Sequence, residues 1–166
     1  KPMEGGVVAE VIESRDPAFR KGESVLGIFP WQQVFKVSSK AATKVDATLA
    51  PLGYYLGILG MPGLTAYFGL LDIGKPQKGE TVVVSGAAGA VGMLVGQIAK
   101  IQGCRVIGIA GNQEKIDFLL NELHFDIAIN YHTETNIVKA IIAACPNGVD
   151  VYFDNVKVKI TEGGFE

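Results

Sequence analysis

The chain has 166 residues, the length of one ordinary domain, with 48% hydrophobic residues, 19% charged residues and a formal charge of −2. So apolar a composition excludes a disordered chain, and 15 basic against 17 acidic residues with no basic stripe exclude a nucleic-acid footprint. Glycine is abundant at 21 residues, but the glycines cluster without a period of three, which excludes collagen.

In chain order, residues 1–46 read as part of a small β-rich unit. Gly6–Ile12 and Ser24–Phe29 are strand-like, and Asp16-Pro17 and Lys21-Gly22 mark turns between them. Residues 47–77 follow as connecting helices, broken at Gly60–Pro62. The stretch from Ala47 to Leu71 has no charged residue and is long enough to span a bilayer, yet Pro51, Pro62 and five glycines argue for short buried helices instead.

From residue 78 the pattern alternates strictly. Thr81–Ser85 is a β-branched run, hence a buried strand, and Ala90–Gln102 has apolar residues at helical spacing (Val91, Leu94, Val95, Ile98, Ile101), ended by Gly103. Arg105–Ile109 is a second strand. Gln113–Leu123 is a second helix capped by Asn112, with Ile116, Leu119, Leu120 and Leu123 on one face. His124 then stands where a glycine would be easiest. Ile127–Asn130, Asn136–Ala144 and Val149–Val156 complete a β-α-β-α-β-α-β order, which implies a parallel sheet with right-handed crossovers, covered on both faces. Residues 157–166 break the pattern, because no helix follows the fourth strand. They are expected to lie beyond a stretch missing between Val156 and Lys157, so that the two are not neighbours in the natural chain.

Gly86-Ala87-Ala88-Gly89-Ala90-Val91-Gly92 joins the first strand of this region to its helix. At such a junction backbone N–H groups and the positive helix end converge on a pyrophosphate, and the glycines permit a tight turn and close approach. Gly92, with Gly96 and Ala99, is expected to let the helix sit close on the sheet. The alternative is that these are only packing glycines. The tip of the second strand, Ala110-Gly111-Asn112, lacks the acid that NAD-binding domains place on the ribose 2′-OH. These small residues leave room for a 2′-phosphate. Lys115 follows in the first helical turn, where a cation opposes the helix dipole, so pairing with that phosphate would explain it. A solvated surface lysine is the other reading, and neighbouring Glu114 argues weakly against the phosphate. Tyr131 can donate to the same phosphate from the end of the third strand, or is simply a half-buried aromatic. Asn155 ends the fourth strand on the edge where such sheets bind ligands. Two histidines, His124 and His132, are too few for a metal cluster. Cys104 and Cys145 read as reduced core thiols of a cytoplasmic protein.

Four runs together, Gly60–Tyr67 (GMPGLTAY), Gly79–Val84 (GETVVV), Gly86–Gly92 and Val149–Val156 (VDVYFDNV), resemble the zinc-independent medium-chain dehydrogenase/reductase family, in its prostaglandin reductase and alkenal double-bond reductase branch. The resemblance covers nearly all of residues 5–156. It implies a Rossmann-type doubly wound NADP-binding domain over 78–156, part of a GroES-like catalytic domain over 1–46, and a C-terminal segment at 157–166, where Glu162–Glu166 (EGGFE) matches the family near its end. It implies NADP(H) as cofactor and an α,β-unsaturated ketone or aldehyde as substrate, reduced at the C=C bond by hydride transfer. Met61 and Thr65 are then nicotinamide contacts, Gly86, Gly89, Ala90, Val91 and Gly92 the pyrophosphate loop, Lys115 and Tyr131 the 2′-phosphate contacts, and Asn155 a further cofactor contact. No catalytic residue is assigned, no metal site is expected, and Pro2-Met3-Glu4 stands where zinc-dependent relatives carry Gly-His-Glu. A cytoplasmic homodimer, with neither nucleic acid nor membrane as partner, is the implied setting. An NADPH:quinone oxidoreductase and an NADP(H)-binding protein without turnover are the alternatives.

Overall fold

A computed structural model describes residues 2–156. The tail at 157–166 and the expected break after Val156 lie outside the described residues. The chain divides into two compact units, residues 1–61 and 62–166.

In the first unit, strands β1 (Glu4–Glu10), β2 (Ser24–Pro30) and β3 (Thr43–Val45) form an antiparallel sheet in the order β1-β2-β3, with Val8 opposite Leu26. The first strand begins and ends two residues earlier than the sequence suggests. The third is three residues long, too short for its alternation to show. Phe29 is fully buried, and its ring lies 5.2 Å from that of Phe35. A short 3-10 turn at Leu52–Leu56 follows.

Helix α1 (Met61–Phe68) bridges into the second unit, and a wider, π-type stretch at Gly69–Gly74 prolongs it. Pro62 therefore starts a helix as well as breaking the preceding chain, because a proline in the first turn removes a donor that has no intrahelical acceptor. The helical stretch stops at Lys75, whose backbone is left-handed (φ 48°) and whose N–H donates to the Leu70 carbonyl. Among the described residues no helix is long and apolar enough to cross a membrane.

The second unit is the expected Rossmann-type layer structure. Strands β4 (Thr81–Val84), β5 (Arg105–Ala110), β6 (Ile127–Asn130) and β7 (Val151–Phe153) make an all-parallel sheet in the order β6-β5-β4-β7. Helices α2 (Gly92–Ile101), α3 (Gln113–Asp117) and α4 (Ile137–Ala144) form the crossovers. Although TVVV is uniformly apolar, its residues alternate in space. Val82 and Val84 join Ala66, Leu70, Val95, Val106 and Leu119 in one core layer, whereas Val83 joins Ile107, Ile109, Ile129 and Ile141 in the other.

Two junctions depart from the sequence reading. The second helix of the sheet region loosens after Asp117 into a π-type turn, Phe118–Glu122. The extra residue shifts the apolar face, so Leu119 is fully buried whereas Leu120 is 36% exposed. His124 takes the left-handed conformation expected of it, with φ 55°. The last strand is shorter than Val149–Val156 because its flanks have other bonds to make. Asp150 bonds Thr81 at both ends, accepting from its N–H at 2.8 Å through Oδ2 and donating its own N–H to the Thr81 carbonyl. Asp126 does the same work beside β5, with Oδ2 accepting from the Val106 N–H at 2.7 Å and from Lys100 Nζ at 3.0 Å. Burial opposes ionisation of Asp126, but those two bonds outweigh it and hold its carboxyl below the usual range.

Phe125 sets the spacing of the layer. Its ring, 4% exposed, lies where a Cβ on Gly96 of α2 would fall, and within 2.8 Å of where one on Gly108 of β5 would fall. The closeness read from Gly96 is thus real, but it reaches the sheet through this ring. Gly96→Ala should drive a methyl into Phe125 and destabilise the protein by about 1–3 kcal/mol, the usual cost of overpacking. Urea unfolding of the two proteins measures this, and equal midpoints would contradict it.

Candidate functional site

The carboxyl ends of the strands carry a cavity of about 410 Å³. It is lined by Gly86, Ala88, Gly89, Ala90, Val91 and Gly92 from the β4–α2 loop, by Ala110, Gly111 and Lys115 from the β5–α3 junction, and by Tyr131, Asn155 and Val156 from the ends of β6 and β7. Of the ten site residues expected from sequence, eight meet here. The other two, Met61 and Thr65, lie four residues apart on α1, both exposed and outside this lining.

The loop is built by its glycines. Gly86 has φ +55°, a conformation that side chains avoid. Gly92 begins α2 against the loop itself, and a Cβ there would overlap the Gly86 carbonyl oxygen. The helix starts two residues later than its apolar periodicity suggests, because Ala90 and Val91 are spent in the turn. Ala87 donates to the Ile109 carbonyl and Gly89 to that of Gly86, which hold the loop down. Among the described residues the N–H groups of Ala90, Val91 and Gly92 have no backbone acceptor, as expected at the head of a helix. A tight loop that admits no side chain at Gly86 or Gly92, rimmed by unsatisfied N–H groups at a positive helix end, fits a pyrophosphate.

At the second junction Asn112 caps α3 as expected, accepting from the Lys115 N–H at 2.8 Å. The cap fixes the first turn, and the exposed Lys115 lines the cavity while Glu114 does not. Among the described residues no carboxylate lines it. Tyr131 is 43% exposed, its N–H donates to the Ala110 carbonyl, and its ring centroid lies 4.4 Å from that of His132. Ala110 and Gly111 line the cavity beside Lys115, but the place that a side chain on Gly111 would take is filled by the Tyr131 ring: Oη would lie 2.6 Å from a Cβ on Gly111.

The sequence reading missed Ser85. Its side chain is fully buried at the end of β4, and its Oγ donates to Asp154 Oδ1 at 2.6 Å and accepts from the Asn155 N–H at 2.8 Å. Asn155 returns the contact through Nδ2, which donates to the Ser85 carbonyl at 3.0 Å. The chain after β7 is thereby tied to the residue that opens the glycine loop. The available signal was a hydroxyl ending an apolar run three residues long, where a buried polar group needs partners. Among the described residues no three His, Cys, Asp or Glu side chains cluster as a metal site. Burial pushes both Cys104 and Cys145 thiols up, as suits inert core residues.

Comparison with known proteins accords with this geometry. A family model described as "Zinc-binding dehydrogenase" matches residues 90–161, and one described as "N-terminal domain of oxidoreductase" matches residues 1–45. YfmJ of Bacillus subtilis (strain 168) is 61% identical over 162 residues, which are 98% of this chain and 48% of YfmJ. The 2-alkenal reductase (NADP(+)-dependent) of Nicotiana tabacum is 46% identical over 162 residues, 97% of this chain and 47% of the relative. These matches support the resemblance to the medium-chain dehydrogenase/reductase family, in its alkenal and prostaglandin reductase branch. The crystal structure of CurA from Vibrio vulnificus in complex with NADPH is similar with a TM-score of 0.90 and 44% identity, covering 98% of this chain and 48% of that one. The chain therefore spans about half the length of the relatives it matches.

Ser85→Ala should remove the Oγ bonds to the Asp154 carboxylate and the Asn155 N–H, both on exposed residues, and cost about 0.5–1.5 kcal/mol. Urea unfolding of the variant checks this, and an unchanged midpoint would show that the junction is held by other contacts.

Proposed function

We propose that this protein is an NADPH-dependent, zinc-independent reductase of the C=C bond in α,β-unsaturated ketones and aldehydes. The cavity carries the proposal: glycine loop, Lys115 and Tyr131 converge with no carboxylate among them. The names of its relatives, among them 2-alkenal reductase and NADPH-dependent curcumin reductase, support the substrate class.

In this reading the N–H groups of Ala90, Val91 and Gly92 take the pyrophosphate, and Gly86 and Gly89 let it approach the backbone. Lys115 and Tyr131 take the ribose 2′-phosphate. Asn155, held by Ser85, presents its amide toward the nicotinamide half, and Met61 and Thr65 are carried over from the family as contacts on that half. The reduced nicotinamide, when bound, supplies a hydride. The substrate's β-carbon gains that hydride, its carbonyl oxygen takes up the negative charge, and a proton at the α-carbon completes the two-electron reduction. Donors to the oxygen must stabilise the developing enolate. The domain reading of 1–46 as GroES-like, 47–77 as connecting helices and 78–156 as NADP-binding belongs to the same proposal, as does a cytoplasmic homodimer, which the family resemblance supports.

Loss of NADPH absorbance is expected with a conjugated enone and not without it. Faster turnover of a quinone than of any enone would overturn the substrate class. Chelator treatment should leave the activity intact, whereas stoichiometric zinc in the purified protein would contradict the proposal.

Lys115→Ala tests the cofactor. A hydrogen bond to a charged group contributes about 1.5–3 kcal/mol, so NADPH affinity should fall roughly ten- to a hundredfold while NADH affinity barely changes. High salt should narrow the preference, because Lys115 is exposed. Equal losses for both nucleotides would make Lys115 a surface lysine and remove the basis for NADP.

A further inference from the structure

Gly111 stands where a Rossmann-type domain selective for NAD carries its ribose-binding acid, at the tip of β5. Absence of an acid would by itself be satisfied by alanine, serine or threonine. The structure shows a stricter demand. The three atoms nearest to a Cβ built on Gly111 all belong to Tyr131: Oη at 2.6 Å, Cζ at 2.8 Å and Cε1 at 3.1 Å. All three are closer than side-chain carbons ordinarily tolerate. Gly111 does not have the left-handed φ that marks Gly86, so its backbone admits other residues. What excludes a side chain is the tyrosine ring. That ring is half-exposed and could swing outward, so a substitution would displace Tyr131 more readily than disturb the fold.

Tyr131 is constrained on other sides too. Its N–H is tied to the Ala110 carbonyl, and its ring meets that of His132, whose own N–H is held by Asn130 Oδ1 at 3.0 Å. Gly111 supplies one further wall, which is backbone alone, and the rest of the ring faces solvent.

We propose that Gly111 is a positioning residue that sets nucleotide preference through Tyr131: its missing side chain seats the tyrosine over the strand tip, and the seated tyrosine denies that place to an acid. The inference rests on the NADPH reading above. It has a consequence that the acid rule alone lacks. Residue 111 and residue 131 are coupled, so an acid introduced at 111 evicts the 2′-phosphate donor and cannot reach the ribose until the ring is removed.

The test is a double-mutant cycle on the intact protein, with NADPH and NADH affinities titrated for the unsubstituted protein, G111A, Y131A and G111A/Y131A. G111A should weaken NADPH about tenfold, close to the effect of Y131A, with a smaller effect on NADH. In the Y131A background G111A should change NADPH affinity less than twofold. Unfolding midpoints for all four proteins show that the changes are local. The inference is overturned if G111A leaves NADPH affinity unchanged, if its effect is the same with and without Tyr131, or if it weakens both nucleotides equally. If the unsubstituted protein shows no preference for NADPH, the functional reading falls and this inference with it. If that preference stands and the cycle is additive, only the inference falls.

Discussion

The second unit depends on the packing of one ring. Phe125 sits between Gly96 of α2 and Gly108 of β5, in space that a methyl group on either would occupy. Helices ordinarily stand off a sheet by the thickness of their side chains. Here Val95 and Ala99 of α2 pack on the sheet together with this ring, which fills the place of the missing side chain on Gly96. The ring in turn is placed by His124, whose left-handed backbone reverses the chain after the π-type turn, and by the Phe125 N–H, which donates to the Leu119 carbonyl. Fixing α2 on the sheet fixes its first residue, Gly92, against the carbonyl of Gly86. The shape of the glycine loop is therefore a consequence of core packing some four residues further along the helix.

The opposite ends of the sheet are closed by different means. At the amino ends Asp126 and Asp150, each one residue before a strand, accept from the Val106 and Thr81 N–H groups of the neighbouring strands, one residue before the pairing with β6 and β7 begins. At the carboxyl ends no such closure is made around the β4–α2 loop. The N–H groups at the head of α2 are left toward the cavity. A parallel sheet with helical crossovers gathers its loops on this edge, and the helix dipole adds a positive end to it. Ser85 is the one buried hydroxyl that links the edge together, since it joins the β4 end to the chain leaving β7.

In the proposed reading, selectivity within the cavity rests on exposed groups. Lys115 and Tyr131 are both solvent-accessible, so salt would screen their contacts and the tyrosine's share would depend on where its ring is held. That dependence makes the placement of the tyrosine by Gly111 matter. It also separates the two halves of the cavity. The loop from Gly86 to Gly92 offers main-chain groups that any dinucleotide could use, whereas in the proposed reading the Gly111, Lys115 and Tyr131 cluster would discriminate between them.

Much of this was legible along the chain because it follows from local physics. Alternating β-branched runs and helical periodicities specify the βαβ order. The N-cap at Asn112 is a side-chain-to-backbone bond across three residues, accepting from Lys115 as its position suggests, and Asn136, read as the first residue of its helix, caps α4 in the same way by accepting from Lys139. The glycine loop announces itself by standing between a strand and a helix, and the resemblance placed its phosphate-binding residues at positions that do line one cavity. Other features were decided only when distant residues met. The third strand of the first unit is too short to carry a period and exists through its pairing with β2. The π-type turn at 118–122 inserts a residue into the helical repeat, which moves Leu120 off the buried face in a way that no periodicity anticipates. Ser85 reads as the end of an apolar run until Asp154 and Asn155, about seventy residues away, supply its bonds. The room at Gly111 looks vacant in sequence, yet it is filled by a tyrosine twenty residues on, because β5 and β6 are neighbours in the sheet and their ends face the same site. Sequence determines which elements form, since their causes lie within a few residues. Contacts across the sheet decide what occupies the space between them, since packing depends on which residues the fold makes neighbours.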